Sequence, residues 1–495
     1  MTATEVQVSR RPWVVLVAMS AAVTIVIFNS SAINVALPTM ATELGLSAAA
    51  MRLVVVINSV TFAAMLLPAG YLCNRTGART VLLLGLLATG LGGAAAAAVD
   101  NVPTIMISRA VMGVGAACVM PSTLALVVAT TSEAGRSRAI AVWSAVSVAG
   151  AAGGPIIGGI LVDGWGWNYI FVVSAVGSAA MATAILLLVR PQAKLPQSAV
   201  DVRLLVLAAG AITTFVLGVT VVSDEMLPGI ALIAVACVLA AAAWAVSGKK
   251  PDSTGDEPPR TREQRREFFG ASVSNMLLFF ALAGTLFVLT QKLQFQFGLS
   301  PSTAGFAVAP VTLALLIGVA VSTPCSSAFG RRPVVVGGLV TAAIASITLS
   351  AFGGELSTVL GAVFFAGIGV GMALPLVTES MVASVPSHRV GEAAAVNDTM
   401  QEIGFSLGVA VLGSVLAGFY QAGLRETSTE TGSLGATLAE ADRLGDRELH
   451  DVAMSAFSTG STAAFTVGAV FLVAGAIIAH MYLPSTDRTA RNGAR

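Results

Sequence analysis

Two carboxylates, Asp398 and Glu402, stand four residues apart in an otherwise apolar stretch and therefore share one face of a helix. Asn397 and Gln401 extend the same polar stripe. With entry near residue 393 and a rise of 1.5 Å per residue, the pair lies about 8 and 14 Å deep. Two carboxylates in a low-dielectric site repel one another, so one of them readily takes up a proton and gives it back. That is a chemistry for coupling to a proton gradient; hydrogen bonding to neighbouring helices is the alternative. Arg109, in another apolar stretch, is a candidate charge partner or a snorkelling side chain, and Gly113 and Gly115 one turn deeper suggest close helix packing around it. Glu379 sits near the end of its stretch, within reach of water. Gly150, Gly153, Gly154, Pro155, Gly158 and Gly159 fall within ten residues. The glycines allow close backbone approach, and the proline removes one helical hydrogen bond, as suits a helix that bends or rocks. Asn29, Asn34, Asn58 and Glu379 are possible cavity residues, with ordinary helix–helix hydrogen bonding an equal reading for the three asparagines.

These groups need elements that cross hydrocarbon. Of 495 residues, 56% are hydrophobic and 11% charged, whereas a soluble domain carries about 25% charged residues. Such a chain cannot coat a soluble surface of its size, and a net charge of +1 offers no field for nucleic acid. Apolar runs of roughly 20 residues recur throughout. They fall at 13–37, 53–72, 80–99, 104–128, 139–162, 169–189 and 204–222, then at 226–245, 269–289, 303–322, 333–351, 357–383, 393–419 and 463–482. The pattern predicts an all-α polytopic membrane protein with fourteen spans, two six-helix bundles and an extra central helix pair. Only Arg109, Glu379, Asp398 and Glu402 are charged inside these runs. Burying an ionisable group costs at least ~2.5–3.5 kcal/mol, which makes each of them a functional candidate.

Most Lys and Arg, including Arg10, Arg11, Arg75, Arg79, Arg136, Arg138, Arg331 and Arg332, fall on one side if both termini are cytoplasmic. Arg52, Lys292, Arg425, Arg443 and Arg447 are then expected outside. The organisation reads as a first bundle over 1–190, an inserted helix pair and polar linker over 191–268, and a second bundle over 269–495 with an external loop at 421–457. Residues 247–267 are the linker proper, and 434–453 could form a surface helix in the loop. A faint repeat pairs the Gly70-to-Arg79 turn with 328–333: both are short, Gly-containing and doubly basic, as in transporters built from two related bundles. The four cysteines show neither metal-like spacing nor evident pairing. Gly404-Phe405-Ser406-Leu407-Gly408 matches the G-x-S-x-G pattern, but inside an apolar helix rather than at a strand-to-helix elbow. No phosphate-binding G-x-x-x-x-G-K-[ST] occurs, so the chain is expected to be no enzyme and to need no cofactor or metal.

The motifs resemble the fourteen-span drug:proton antiporter branch of the major facilitator superfamily, over nearly the whole chain. The family's cytoplasmic loop motif is matched by Gly70, Asn74, Arg75, Gly77 and Arg79, and its fourth-span motif by Arg109, Gly113, Gly115 and Ala117. Its antiporter motif is matched by Gly150, Gly154, Pro155, Gly158 and Gly159, and the thirteenth span of quaternary-ammonium exporters by 391–410 with Asp398 and Glu402. Three positions depart from the pattern. Asn29 stands where many relatives have a first-helix Asp, Asn74 replaces the loop Asp, and Gly166 replaces the Arg of a W-R-W turn. The resemblance implies a multi-pass plasma-membrane protein that works as a monomer. It implies export of an antibiotic or drug-like small molecule, of the cephamycin type among others, driven by the proton gradient through Asp398 and Glu402 with Arg109 tuning the step. An uncoupled facilitator or importer, or a non-transporting membrane sensor, are the alternatives.

Overall fold

In the computed structural model, residues 12–131, 133–189, 202–222, 226–247, 261–385, 390–424 and 434–484 are described. They are helical and, among themselves, contain no strand. The first set of helices is α1 (Pro12–Leu44), α2 (Ala48–Thr76), α3 (Ala78–Ala97), α4 (Val102–Thr130), α5 (Glu133–Trp165) and α6 (Asn168–Leu188). The pair α7 (Val202–Val221) and α8 (Met226–Ser247) follows. The second set is α9 (Arg262–Gln291), continued by a π-helical turn (Lys292–Gln296), α10 (Pro301–Phe329), α11 (Arg331–Phe352), α12 (Leu356–Ala383), α13 (Val390–Leu424) and α15 (Arg447–Tyr482), with the short α14 (Leu434–Leu444) before the last. Among the described residues, thirteen helices are long and apolar enough to cross a membrane. The expected fifth span lies in α5, a continuous helix of 33 residues outside that set.

Several helices outrun the apolar runs, because a helix ends where its cap is and not where hydrocarbon ends. The Ser47 side chain accepts a hydrogen bond from Ala50 N and starts α2 at Ala48, five residues before the expected span. Arg52, expected outside, is consequently inside α2 and 1% exposed. Lys292, also expected outside, is buried in the π-helical turn, where its Nζ donates to Gln296 Oε1 at 2.6 Å. The expected surface helix over 434–453 is divided at Gly445, whose φ of 67° ends α14; Asp446 then caps α15 by accepting from Leu449 N. The paired loops of the repeat adopt matching turns, α2–Gly77–α3 with φ 96° and α10–Gly330–α11 with φ 88°. At these two positions a side chain would be strained. Linker residues 248–260, loop residues 425–433, His388, Arg10 and Arg11 lie outside the described residues, as do the side chains of Arg136 and Arg138.

Two ends differ in how the sets meet. At the end carrying α14 (the loop end), one hydrophobic core spans both sets: Leu37, Met40, Met51 and Val55 join Phe287, Leu293, Leu416 and Tyr420. At the opposite end, where α1 begins and α15 finishes, the cores are separate. One holds Met19, Leu82, Val119 and Ile185 of the first set, and the other Leu278, Val335, Val377 and Ala476 of the second. Hydrogen bonds between the sets agree: Gln294 Nε2 donates to Val35 O at 2.8 Å, and Ser302 N to Asp163 Oδ2 at 2.9 Å, both at the loop end. Among the described residues, the bundles therefore share a core at the loop end and keep separate cores at the terminus end.

The glycines of the G-x-S-x-G pattern serve packing. A Cβ on Gly404 would stand 2.2 Å from Met276 O, and one on Gly408 2.0 Å from Phe280 O, so α13 lies backbone to backbone on α9. The Ser406 hydroxyl is buried and has no hydrogen-bond partner among the described residues. Gly408→Ala should therefore destabilise the protein by about 1–3 kcal/mol, read as a lower Tm in detergent. Ser406→Ala should leave both Tm and transport unchanged.

Candidate functional site

The first set contributes a polar cluster around Arg109. Because α4 begins at the Asn101 cap, which accepts from Thr104 N, Arg109 falls two turns inside the helix and not at its mouth. It is 1% exposed. Its Nε donates to Val54 O at 2.9 Å and its Nη1 to Asn29 Oδ1. Asn29 in turn donates to Ser174 Oγ at 2.9 Å, and Ser174 to Ile170 O at 3.0 Å. Asn58 Nδ2 donates to Arg109 O at 3.1 Å and accepts from Ser30 Oγ at 3.2 Å. The guanidinium is thus neither snorkelling nor ion-paired here; its partners are neutral oxygens. Asn29 and Asn58 are buried ties between α1, α2, α4 and α6 rather than lining of an open cavity. Asn34 is buried too, with Oδ1 unpartnered. The glycines near Arg109 are required by contact: a Cβ on Gly113 would stand 2.3 Å from Asn58 O, and one on Gly115 2.7 Å from Gly85 O.

The second set contributes a cluster around Asn397. Asn275 Nδ2 donates to Asn397 Oδ1 at 2.9 Å, and Thr378 Oγ1 to the same oxygen at 3.1 Å. Asn397 Nδ2 donates to Asp398 Oδ1 at 3.1 Å. Asp398 is exposed, whereas Glu402, one turn nearer the loop end, is half-buried. The Glu402 carboxyl faces the side chain of Ser59 across the seam and lies within electrostatic reach of Asp398. Ser59 belongs to α2 and adjoins Asn58, so a single contact links the carboxylate pair of the second set to the Arg109 cluster of the first. Sequence reasoning named Asp398, Glu402, Arg109, Asn29 and Asn58 but missed Ser59. A serine in an apolar helix carries little signal by itself; its position directly after Asn58 was the available clue.

The Gly- and Pro-rich segment of α5 sits between the sets. Cβ atoms on Gly154 and Gly158 would meet Ser31 Oγ at 1.8 Å and the Ala32 Cβ at 2.7 Å in α1. One on Gly159 would stand 2.4 Å from Pro301 O in α10, and one on Gly305 2.2 Å from Pro155 O. Gly150 is looser, 3.1 Å from Thr24 Cγ2. Pro155 lies inside an unbroken α5. The remaining sites are peripheral. Glu379, expected as a cavity residue, has a side chain 58% exposed and pairs with Arg331 at 2.9 Å at the terminus end, where Arg331 also lies 3.7 Å from Glu267. Glu379 stands four residues before the end of α12, where the last turn presents its side chain at the surface. In the loop motif, Gly77 makes the turn, Arg79 Nη2 donates to Leu186 O at 3.2 Å, and Arg75 is exposed. Gly70 has open space where a side chain would be, and the Asn74 side chain lies outside the described residues. His480 meets Arg332 at 2.7 Å on the surface. Among the described residues no group of His, Cys, Asp and Glu is arranged to hold a metal.

The sequence pattern of the Major Facilitator Superfamily matches residues 19–248 and 271–494. The chain is 28% identical over 488 residues to a multidrug efflux pump of Mycolicibacterium smegmatis, covering 94% of this chain and 95% of that protein. It is 31% identical over 496 residues to a tetracenomycin C resistance and export protein of Streptomyces glaucescens, covering 94% and 91%. Among solved structures, a bacterial homologue of the human lysosomal transporter Spinster, in an inward-facing and unoccupied conformation, aligns with a TM-score of 0.68 at 17% identity. That alignment covers 97% of this chain and 98% of the other. The chain belongs to the Major Facilitator Superfamily; it is a membrane transporter of small molecules and not an enzyme.

Asn29 is the only side chain that accepts from the Arg109 guanidinium among the described residues. Asn29→Leu leaves that cation without its acceptor and should cost about 1.5–3 kcal/mol, seen as a drop in Tm. Asn29→Asp, which keeps an acceptor there, should retain most of the Tm.

Proposed function

We propose that this member of the superfamily is a proton-coupled exporter of an antibiotic or drug-like molecule, acting as a monomer in the plasma membrane with both termini in the cytoplasm. The observation that carries the reading is the carboxylate pair on α13, with Glu402 facing Ser59 across the bundle seam. An acid in that position is costly as glue, because its charge must be kept out of hydrocarbon in every state of the cycle. As a proton site it has a use. The two bundles, residues 1–190 and 269–495 joined through 191–268, rock about the seam so that one end opens as the other closes. The separate cores at the terminus end support an inward-facing state in which water reaches Asp398 from the cytoplasm.

In that state the pair gives up its proton, and the Glu402 carboxylate accepts the Ser59 hydroxyl. Drug binding then favours opening at the loop end. There the drug leaves, a proton from outside neutralises the pair, and the proton-loaded, drug-free carrier returns. Arg109 donates to the α2 backbone at Val54 and accepts the Asn58 side chain at its own carbonyl, which fixes the turn just before Ser59. The antiporter-like segment of α5, wedged between α1 and α10, forms part of the sliding surface. Names of the relatives, multidrug efflux and tetracenomycin C resistance and export, support export of drugs or antibiotics; a cephamycin belongs among the first cargoes assayed.

The test uses everted membrane vesicles with an acid lumen. Adding a transported drug should let protons leave the lumen, and collapsing the pH gradient should stop drug accumulation. Asp398→Asn with Glu402→Gln should lower gradient-driven accumulation at least about 100-fold, consistent with an all-or-none requirement for the titrating pair. Glu379→Gln should remain near wild type. Undiminished gradient-driven accumulation in the double variant would falsify proton coupling at this site; accumulation equal on both sides whatever the gradient would mark a facilitator.

A further inference from the structure

A second polar contact crosses the same α2–α13 seam, two turns of α2 from the first. Arg52 lies seven residues before Ser59, and Gly413 eleven residues after Glu402, so each contact uses the same face of both antiparallel helices. Arg52 Nη1 donates to Gly413 O at 3.4 Å. The rest of the side chain lies flat on that glycine: a Cβ at position 413 would stand 2.7 Å from Arg52 Cδ and 2.9 Å from its Cγ. Arg52 also lines a small cavity of about 30 Å³ with Gln291, Tyr420, Leu434 and Phe457, inside the core that joins the bundles at the loop end. Three of those partners come from the opposite bundle, and Leu434 comes from α14 capping it. An arginine 1% exposed in an apolar seal, against a glycine that leaves just enough room for its stem, is more than is needed to pack two helices.

We propose that Arg52 is a positioning residue for transport: it latches the loop-end gate by reaching across the seam to Gly413, on the helix that carries the carboxylate pair. The proposal rests on the exporter reading above. Opening the loop end separates α2 from α13 and transfers the Arg52 guanidinium from Gly413 O to water. Loading at Glu402 and release of the latch then act on one helix pair, so the state of the proton site biases the far end of the same seam. Arginine suits the position because its charge penalises opening little, being better hydrated once the gate is open, while its long apolar stem fills the seal when closed.

The experiment compares wild type with Arg52→Gln, Arg52→Lys and Gly413→Ala in nanodiscs by hydrogen–deuterium exchange, alongside vesicle transport. Arg52→Gln removes the charge-assisted contact, and Gly413→Ala pushes the stem away while leaving Arg52 in place. Both should raise exchange about tenfold in peptides at the loop end (48–56 and 410–420) and lower it at the terminus end (78–86 and 376–383), as the population moves toward outward-open. Arg52→Lys, which keeps a donor and a stem, should fall between wild type and Arg52→Gln. Drug accumulation should drop in the same order. Exchange rising at both ends, as general loosening would produce, or changing at neither overturns the latch. Wild-type exchange and transport in Arg52→Gln, with accumulation lost in Glu402→Gln, overturns the latch and leaves proton coupling standing. Normal accumulation in Glu402→Gln with the expected exchange shift in Arg52→Gln does the reverse.

Discussion

The contact between Glu402 and Ser59 is the point on which the rest of the architecture turns. A carboxylate at that depth has two ways to avoid the cost of hydrocarbon: accept hydrogen bonds or take up a proton. Ser59 stands in place to supply the first, and from the opposite bundle. Any motion that parts α2 from α13 removes the hydroxyl and leaves protonation or fresh water as the only relief. On the proposed reading, charge state and bundle geometry are tied together at this one contact.

Around this contact each bundle holds its side of the seam rigid with neutral polar ties. In the first, Arg109 gathers Asn29 and Val54 O, while Asn58 grips the Arg109 carbonyl. In the second, Asn397 gathers Asn275 and Thr378 and hands its amide to Asp398. Amide and hydroxyl partners suit this purpose, since they hold helices in register without adding charges that must be neutralised in both states. The substitution of Asn for Asp at position 29, relative to the antiporters the chain resembles, fits this arrangement. Arg109 keeps a neutral acceptor, and in the proposed mechanism the coupling rests on the α13 pair. Glycine then sets the distances: Gly113, Gly154, Gly158, Gly404 and Gly408 each bring a backbone to within reach of another helix.

Much of this was legible in the sequence. Apolar period and length predict the helices, because spanning hydrocarbon demands them. Scarcity of charge singles out Asp398, Glu402 and Arg109. What escaped did so for physical reasons. Arg52 and Lys292 were expected in water because hydropathy marks where apolar residues stop, while Ser47 and the π-helical turn decide where helices stop. Glu379 was counted inside a span because α12 and its apolar run end together at residue 383, although the last turn already reaches the surface. Ser59 was invisible because a hydroxyl acquires meaning only from what faces it, and its partner lies 343 positions away in the chain. The exposed charge of Asp398 beside the half-buried Glu402 was likewise beyond a one-dimensional reading, which assigns both to one stripe.

The most direct test of the central claim is proton release on drug binding, measured by following pH in weakly buffered solutions of the purified transporter. Wild type should release protons as drug binds, because the drug-loaded state keeps the pair charged. The Asp398→Asn, Glu402→Gln double variant, still binding drug, should release none. Equal release from both proteins would contradict the account and move the proton site elsewhere in the molecule.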